Sequence, residues 1–155
     1  RVWAGAWNGY KGKDKVYVRM MWMILQADKP DDWVIATGKT TTVRDFVRMA
    51  FSYAGIELEF KGAGKKEKGL VVSCSNPKYQ VEKGKEVVAI DPKYFRPTEV
   101  DLLIGDPTKA NRKLGWIPEY NLEQLINEMM ESDLKLMTKD QYLKHGGYTI
   151  MNYFE

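Results

Sequence analysis

A chain of 155 residues with 44% hydrophobic residues and a formal net charge of +3 has room for one domain with its own core. The mild charge excludes a strongly basic nucleic-acid binder. The most apolar window, Met20 to Leu25, is far short of the ~20 residues of a membrane span, and no signal-peptide pattern opens the chain.

Taken in order, residues 1–16 form an atypical opening segment, with Trp3, Trp7 and Tyr10 set among glycines at no regular period. From Asp14, a capping residue, to Gln26 a helix is expected, because Val18, Met21, Trp22 and Leu25 share one face. Met20, Met23 and Ile24 make that helix apolar on nearly all sides, as in a helix held between two layers. Pro30-Asp-Asp is a turn. Trp33 to Thr37, apolar throughout and ended by Gly38, predicts a short strand covered on both faces.

Thr42 and Asp45 form a variant of the capping box, and Val43, Phe46, Val47, Ala50, Phe51 and Ala54 follow at helical spacing until Gly55. Ile56 to Phe60 alternates as a strand with one polar face. Lys61 to Gly69 is a basic, glycine-rich loop without the interleaved aromatics that stack bases, and reads as solvated. Leu70 to Ser73 and Glu86 to Ile90 are β-prone and can pair as a hairpin or flap. The apolar run Val100 to Ile104 leads to a helix from Asp106 to Gly115, with Asp as cap, Pro107 at the first helical position and Gly at the end. Asn121 opens the last long helix, which carries Leu122, Leu125, Ile126, Met129, Met130, Leu134 and Met137. Beyond Thr138 the period fades, and residues 139–155 read as a C-terminal tail along the surface.

The chemistry is defined as much by omissions as by motifs. Cys74 and His145 are each alone, so neither a disulfide nor a metal or catalytic cluster is built on them; the expected address is a reducing cytoplasm. A dinucleotide site needs a strand, G-x-G-x-x-G and a helix. Gly62-Ala-Gly64 lacks the third glycine and is followed by Lys65, Lys66 and Glu67. Tyr79 and Lys83 have the Tyr-x-x-x-Lys spacing of an acid–base pair, but Pro77 and Gly84 deny them a helix. What suits a ligand is Arg96-Pro-Thr-Glu99. Arg96 can donate two parallel hydrogen bonds to a phosphate, Pro97 stiffens the backbone beside it, and Glu99 can accept from ribose hydroxyls. The alternative is a surface network of Arg96, Glu99 and Asp101 that only holds a turn.

Asp106-Pro-Thr-Lys-Ala110 with Leu114-Gly-Trp-Ile-Pro118 resembles the C-terminal signature of extended short-chain dehydrogenase/reductases that act on nucleotide sugars. Three further stretches resemble the GDP-mannose 4,6-dehydratases within that group: Tyr94-Phe-Arg-Pro-Thr-Glu-Val-Asp101, Lys29-Pro-Asp-Asp-Trp-Val-Ile-Ala-Thr-Gly38 and Thr42-Val-Arg-Asp-Phe46. The resemblance runs from about Tyr17 to the C-terminus.

It implies an α/β fold, α+β in isolation, with about four helices, short strands and no complete Rossmann sheet. Residues 17–138 would be the nucleotide-sugar-binding lobe. The resemblance further implies that Arg96 and Glu99 hold the GDP of GDP-mannose. Arg1, in Arg1-Val-Trp-Ala-Gly5, stands where the family has Arg-Asp-Trp-Gly, and is a third substrate-binding candidate.

The complete enzyme would use NADP to turn GDP-mannose into GDP-4-keto-6-deoxymannose and water, a step in GDP-fucose biosynthesis. Its catalytic residues would lie in the half that has no counterpart here, so the chain alone would bind no cofactor and be inactive. Exposed apolar surface, or a homo-oligomer contact, is expected around the Met20–Leu25 helix and the edge of Trp33–Thr37. Two other readings stay open: another GDP-sugar reductase or epimerase, and a non-catalytic nucleotide-sugar-binding or structural module.

Overall fold

The computed structural model describes residues 14–95 and 104–150, with side chains from Val18 onward. Arg1, Arg96, Glu99 and most of the Val100–Ile104 run therefore lie outside the described residues. In chain order the elements are α1 (Asp14–Leu25), α2 (Val43–Tyr53), β1 (Ile56–Lys61), β2 (Lys68–Cys74), β3 (Glu86–Ala89), α3 (Thr108–Leu114) and α4 (Leu122–His145). Four helices and a small antiparallel sheet in the order β1-β2-β3 make the expected α+β lobe.

Local signals set most of these elements. The Thr42 hydroxyl accepts from the Asp45 N–H at 3.0 Å and starts α2. Asn121 caps α4 reciprocally with Gln124, at 2.8 and 2.9 Å. Gly115 takes φ 67°, ψ 20° to end α3, a conformation other residues adopt only at a cost. The Asp106 carboxylate accepts from the Thr108 N–H at 2.9 Å; Asp106 thus caps α3, but the first helical residue is Thr108 rather than Pro107.

The sheet pairs β1 with β2 from Ile56–Cys74 to Lys61–Lys68, with a register shift at Glu57/Leu58. β2 pairs with β3 through Lys68–Ala89, Gly69–Val88 and Leu70–Glu86, so the expected hairpin forms despite its long connection. Among the described residues the core has two clusters. Ala54, Ile56 and Val71 gather Phe51, Leu58, Tyr79 and Val87 where α2 meets the sheet. Met20, Ala110 and Trp116 gather Met23, Ile24, Trp33, Ile35 and Leu114 where α1 meets α3. α4 packs on α2 and buries Ile126.

Three expectations are corrected. Trp33–Thr37 belongs to no sheet: the described residues supply no ladder partner, and a strand exists only by pairing. It runs as an irregular segment with Trp33 and Ile35 turned into the α1–α3 cluster and Val34 exposed. On α1 the buried side chains are Met20, Met23 and Ile24, while the expected Val18–Met21–Trp22–Leu25 face is open to solvent. Finally, α4 does not fade at Thr138 but continues to His145. Thr138 to His145 is free of Gly and Pro, and the Thr138 hydroxyl donates to the Leu134 carbonyl at 2.6 Å. The apolar period stops there because that part of the helix is largely exposed, not because the helix stops.

Candidate functional site

The sequence candidates Arg96 and Glu99 follow Phe95, so the surroundings of Phe95 decide what they start from. The register brings Lys61, Lys68 and Ala89 to one end of the sheet. The N-terminus of α2 joins that end: the Arg44 Nε donates to Glu67 Oε1 at 2.6 Å, and the Arg44 and Arg48 guanidinium groups stand 5.8 and 5.2 Å from the Phe60 ring. After β3 the chain turns at Asp91, whose carboxylate accepts from the Lys93 N–H at 2.8 Å. It delivers Phe95 to the same rim, with Lys65 Nζ 5.3 Å from its ring.

The rim is rich in cations, most of them paired. Arg44 faces Glu67, Arg48 faces Asp45, Lys61 faces Glu59 and Lys68 faces Glu86. Asp45 is held below the usual carboxylate range, first by the Thr42 hydroxyl and then by Arg48. Arg44 and Asp45 are thus occupied in holding the start of α2, as a structural role requires. Lys65 and Lys66, in the short 3-10 turn Gly64–Lys66, have no carboxylate partner among the described residues. Lys65 is the residue that sequence reasoning assigned to a solvated loop and that the fold sets beside Phe95. A contact between residues so far apart in the chain leaves no local signal.

On the far side of the Arg96 stretch the chain returns at Ile104 and Gly105. A Cβ on Gly105 would lie 2.6 Å from Ala36 Cβ and 3.1 Å from Val34 Cγ1, so this glycine lets the two segments touch. α3 then locks onto the same neighbour. Lys109 donates to Asp31 and stands 5.2 Å from the Trp33 ring, and Lys113 lies 3.5 Å from Asp31. The Asp31 carboxyl is lowered, chiefly by the Lys109 hydrogen bond and next by the Asp32 N–H. Two stretches widely separated in sequence, Lys29–Gly38 and Asp106–Pro118, are therefore one packed unit around Trp33, Ala110 and Trp116.

A shallow groove of about 280 Å³ beside this unit is lined by Arg19, Met23, Gly115, Trp116, Ile117, Pro118 and Glu119, with Arg19 paired to Glu119. Tyr79 and Lys83 do not form a helical pair: Tyr79 sits in a turn against the sheet cluster, and Gln80 between them has φ 28°. Gly62-Ala-Gly64 leads into the 3-10 turn and not into a helix, so a dinucleotide pyrophosphate has no helix N-terminus to meet there.

The family described as GDP-mannose 4,6 dehydratase matches residues 12–129. The chain belongs to that family. A GDP-mannose 4,6-dehydratase of Yersinia enterocolitica is 48% identical over 140 residues, which are 90% of this chain and 38% of the relative. That of Drosophila melanogaster is 48% identical over 126 residues, 80% of this chain and 29% of the relative. The Homo sapiens protein is 44% identical over 126 residues, 81% of this chain and 32% of the relative. The chain thus spans well under half the length of these GDP-mannose 4,6-dehydratases, matching their C-terminal part. No helix among the described residues is long and apolar enough to cross a membrane.

Proposed function

We propose that this chain is the substrate-binding lobe of a GDP-mannose 4,6-dehydratase, and that it grips the GDP moiety through Arg96 and Glu99. The observation that carries the reading is the family match over residues 12–129, in a chain whose glycines and Tyr-x-x-x-Lys spacing make no dinucleotide or acid–base site. Arg96 donates a fork of N–H groups to the diphosphate, which a lysine cannot reproduce. Glu99 accepts from the ribose hydroxyls, and Arg1 is a further contact to the nucleotide sugar. Lys65, beside Phe95, adds positive potential at the approach to Arg96.

The whole enzyme, in this reading, is a cytoplasmic lyase that converts GDP-mannose to GDP-4-keto-6-deoxymannose and water. NADP supplies its hydride chemistry, and the residues of this chain do not form a site for that cofactor. The part played here is to bind and orient the nucleotide, which converts an encounter between sugar and catalytic groups into a positioned one. Titration calorimetry with GDP, GDP-mannose and NADPH tests this. Binding of GDP and GDP-mannose without NADPH is the expected result; absence of binding by all three would reduce the chain to a structural remnant.

A further inference from the structure

We infer that the solvent face of α1 is a docking surface for the N-terminal portion of a GDP-mannose 4,6-dehydratase, the part of the relatives that has no counterpart here. The inference rests on the reading of the chain as a lobe of that enzyme and adds where the remainder sits. α1 is apolar on opposite sides. Met20 is fully buried, with Met23 and Ile24 beside it against Ala110 and Trp116. On the other side Val18 is 61% exposed, Met21 57%, Trp22 61% and Leu25 78%. These four fall at i, i+3, i+4 and i+7, a continuous stripe two turns long. A helix apolar all round is one that is buried all round, and a large apolar stripe in water marks an interaction site.

Two observations choose the occupant. The match to the family begins at residue 12, immediately before α1, so in the relatives the chain enters this helix straight from the unmatched portion. That portion, well over half of the Yersinia relative, is large enough to cover a two-turn stripe and more. A second copy of this chain fits less well. Four side chains a side fall far short of the ~20–30 residues a side of a stable interface. The second exposed apolar strip, Val34 and Ile104 where Gly105 meets the Trp33–Thr37 segment, agrees with an α/β partner. A run that is apolar throughout, yet pairs with nothing described, suits the sheet edge such a domain would offer.

The test is co-expression of the full 155-residue chain, as parent or as the double variant Met21→Asp/Trp22→Asp, with the N-terminal portion of the Yersinia enterocolitica relative up to the start of the match. Co-purification at one to one is expected, with a blue shift of tryptophan emission in the parent and at least a tenfold weaker complex for the variant. Both substituted residues are exposed, so the variant keeps the parent's circular dichroism and its affinity for GDP. Failure of the parent to capture the N-terminal portion overturns the inference. So does a complex indifferent to the substitutions, or a homodimer of the parent that the variant dissolves. Loss of GDP binding in the parent would instead remove the lobe reading, while capture would still establish the docking surface.

Discussion

The contact between Gly105 and the Trp33–Thr37 segment sets the geometry on the return side of the Arg96 stretch, and the substitution Gly105→Ala probes it. The added Cβ would lie 2.6 Å from Ala36 Cβ and 3.1 Å from Val34 Cγ1. Ordinary carbon contacts are about 3.5–4.0 Å, so one of the two segments must shift by the better part of an ångström. Neither neighbouring atom is the far end of a long side chain, and Trp33 and Ile35 on either side of Val34 are anchored in the α1–α3 cluster. Overpacking of this kind costs about 1–3 kcal/mol. Urea denaturation of parent, Gly105→Ala, Ala36→Gly and the double variant measures it. Ala36→Gly removes the closer of the two clashing atoms, so the double variant should be more stable than the sum of the single effects predicts, by at least about 0.5 kcal/mol. An unchanged midpoint for Gly105→Ala, or strict additivity in the cycle, would refute the close approach.

Asn121→Ala removes both halves of the reciprocal cap on α4 and should lower stability by about 1 kcal/mol, read as a reduced urea midpoint at unchanged slope. Asp31 has its folded pKa depressed by Lys109, so its contribution is present above the ordinary carboxylate range and is lost as pH falls through the folded value. The parent should therefore lose stability below about pH 4, and Asp31→Asn should show a shallower acid limb that added salt makes shallower still in the parent. Equal acid limbs for the two proteins would remove the Asp31–Lys109 tie from the account.

Where a residue signals its own conformation, the fold was legible. Thr42, Asn121 and Gly115 mark helix ends through side-chain acceptors or a left-handed backbone, and α2, α3 and the start of α4 follow from them. The alternation of Ile56 to Phe60 likewise locates β1, because every second side chain enters one cluster. Illegible were the features that depend on what lies alongside. Periodicity reveals that α1 is apolar, but not which side meets Trp116, since both sides qualify. Trp33–Thr37 has the composition of a covered strand, yet composition supplies no neighbour. The end of α4 was hidden because its last turns are exposed and carry no apolar period. Of the candidate site, the resemblance pointed to Arg96, Glu99 and Arg1, all outside the described residues. The cationic rim that leads to Phe95, with Lys65 upon it, emerges only when β1, β2 and β3 are laid in register.

The central claim is that Arg96 clasps a nucleotide diphosphate. Calorimetric titration of GDP into the 155-residue chain and into Arg96→Ala tests it most directly. The account predicts binding by the parent and a loss of roughly 1.5–3 kcal/mol in the variant, about 10- to 150-fold in Kd, as for a charge-assisted hydrogen-bond pair. Equal affinities for GDP in the two proteins would contradict it.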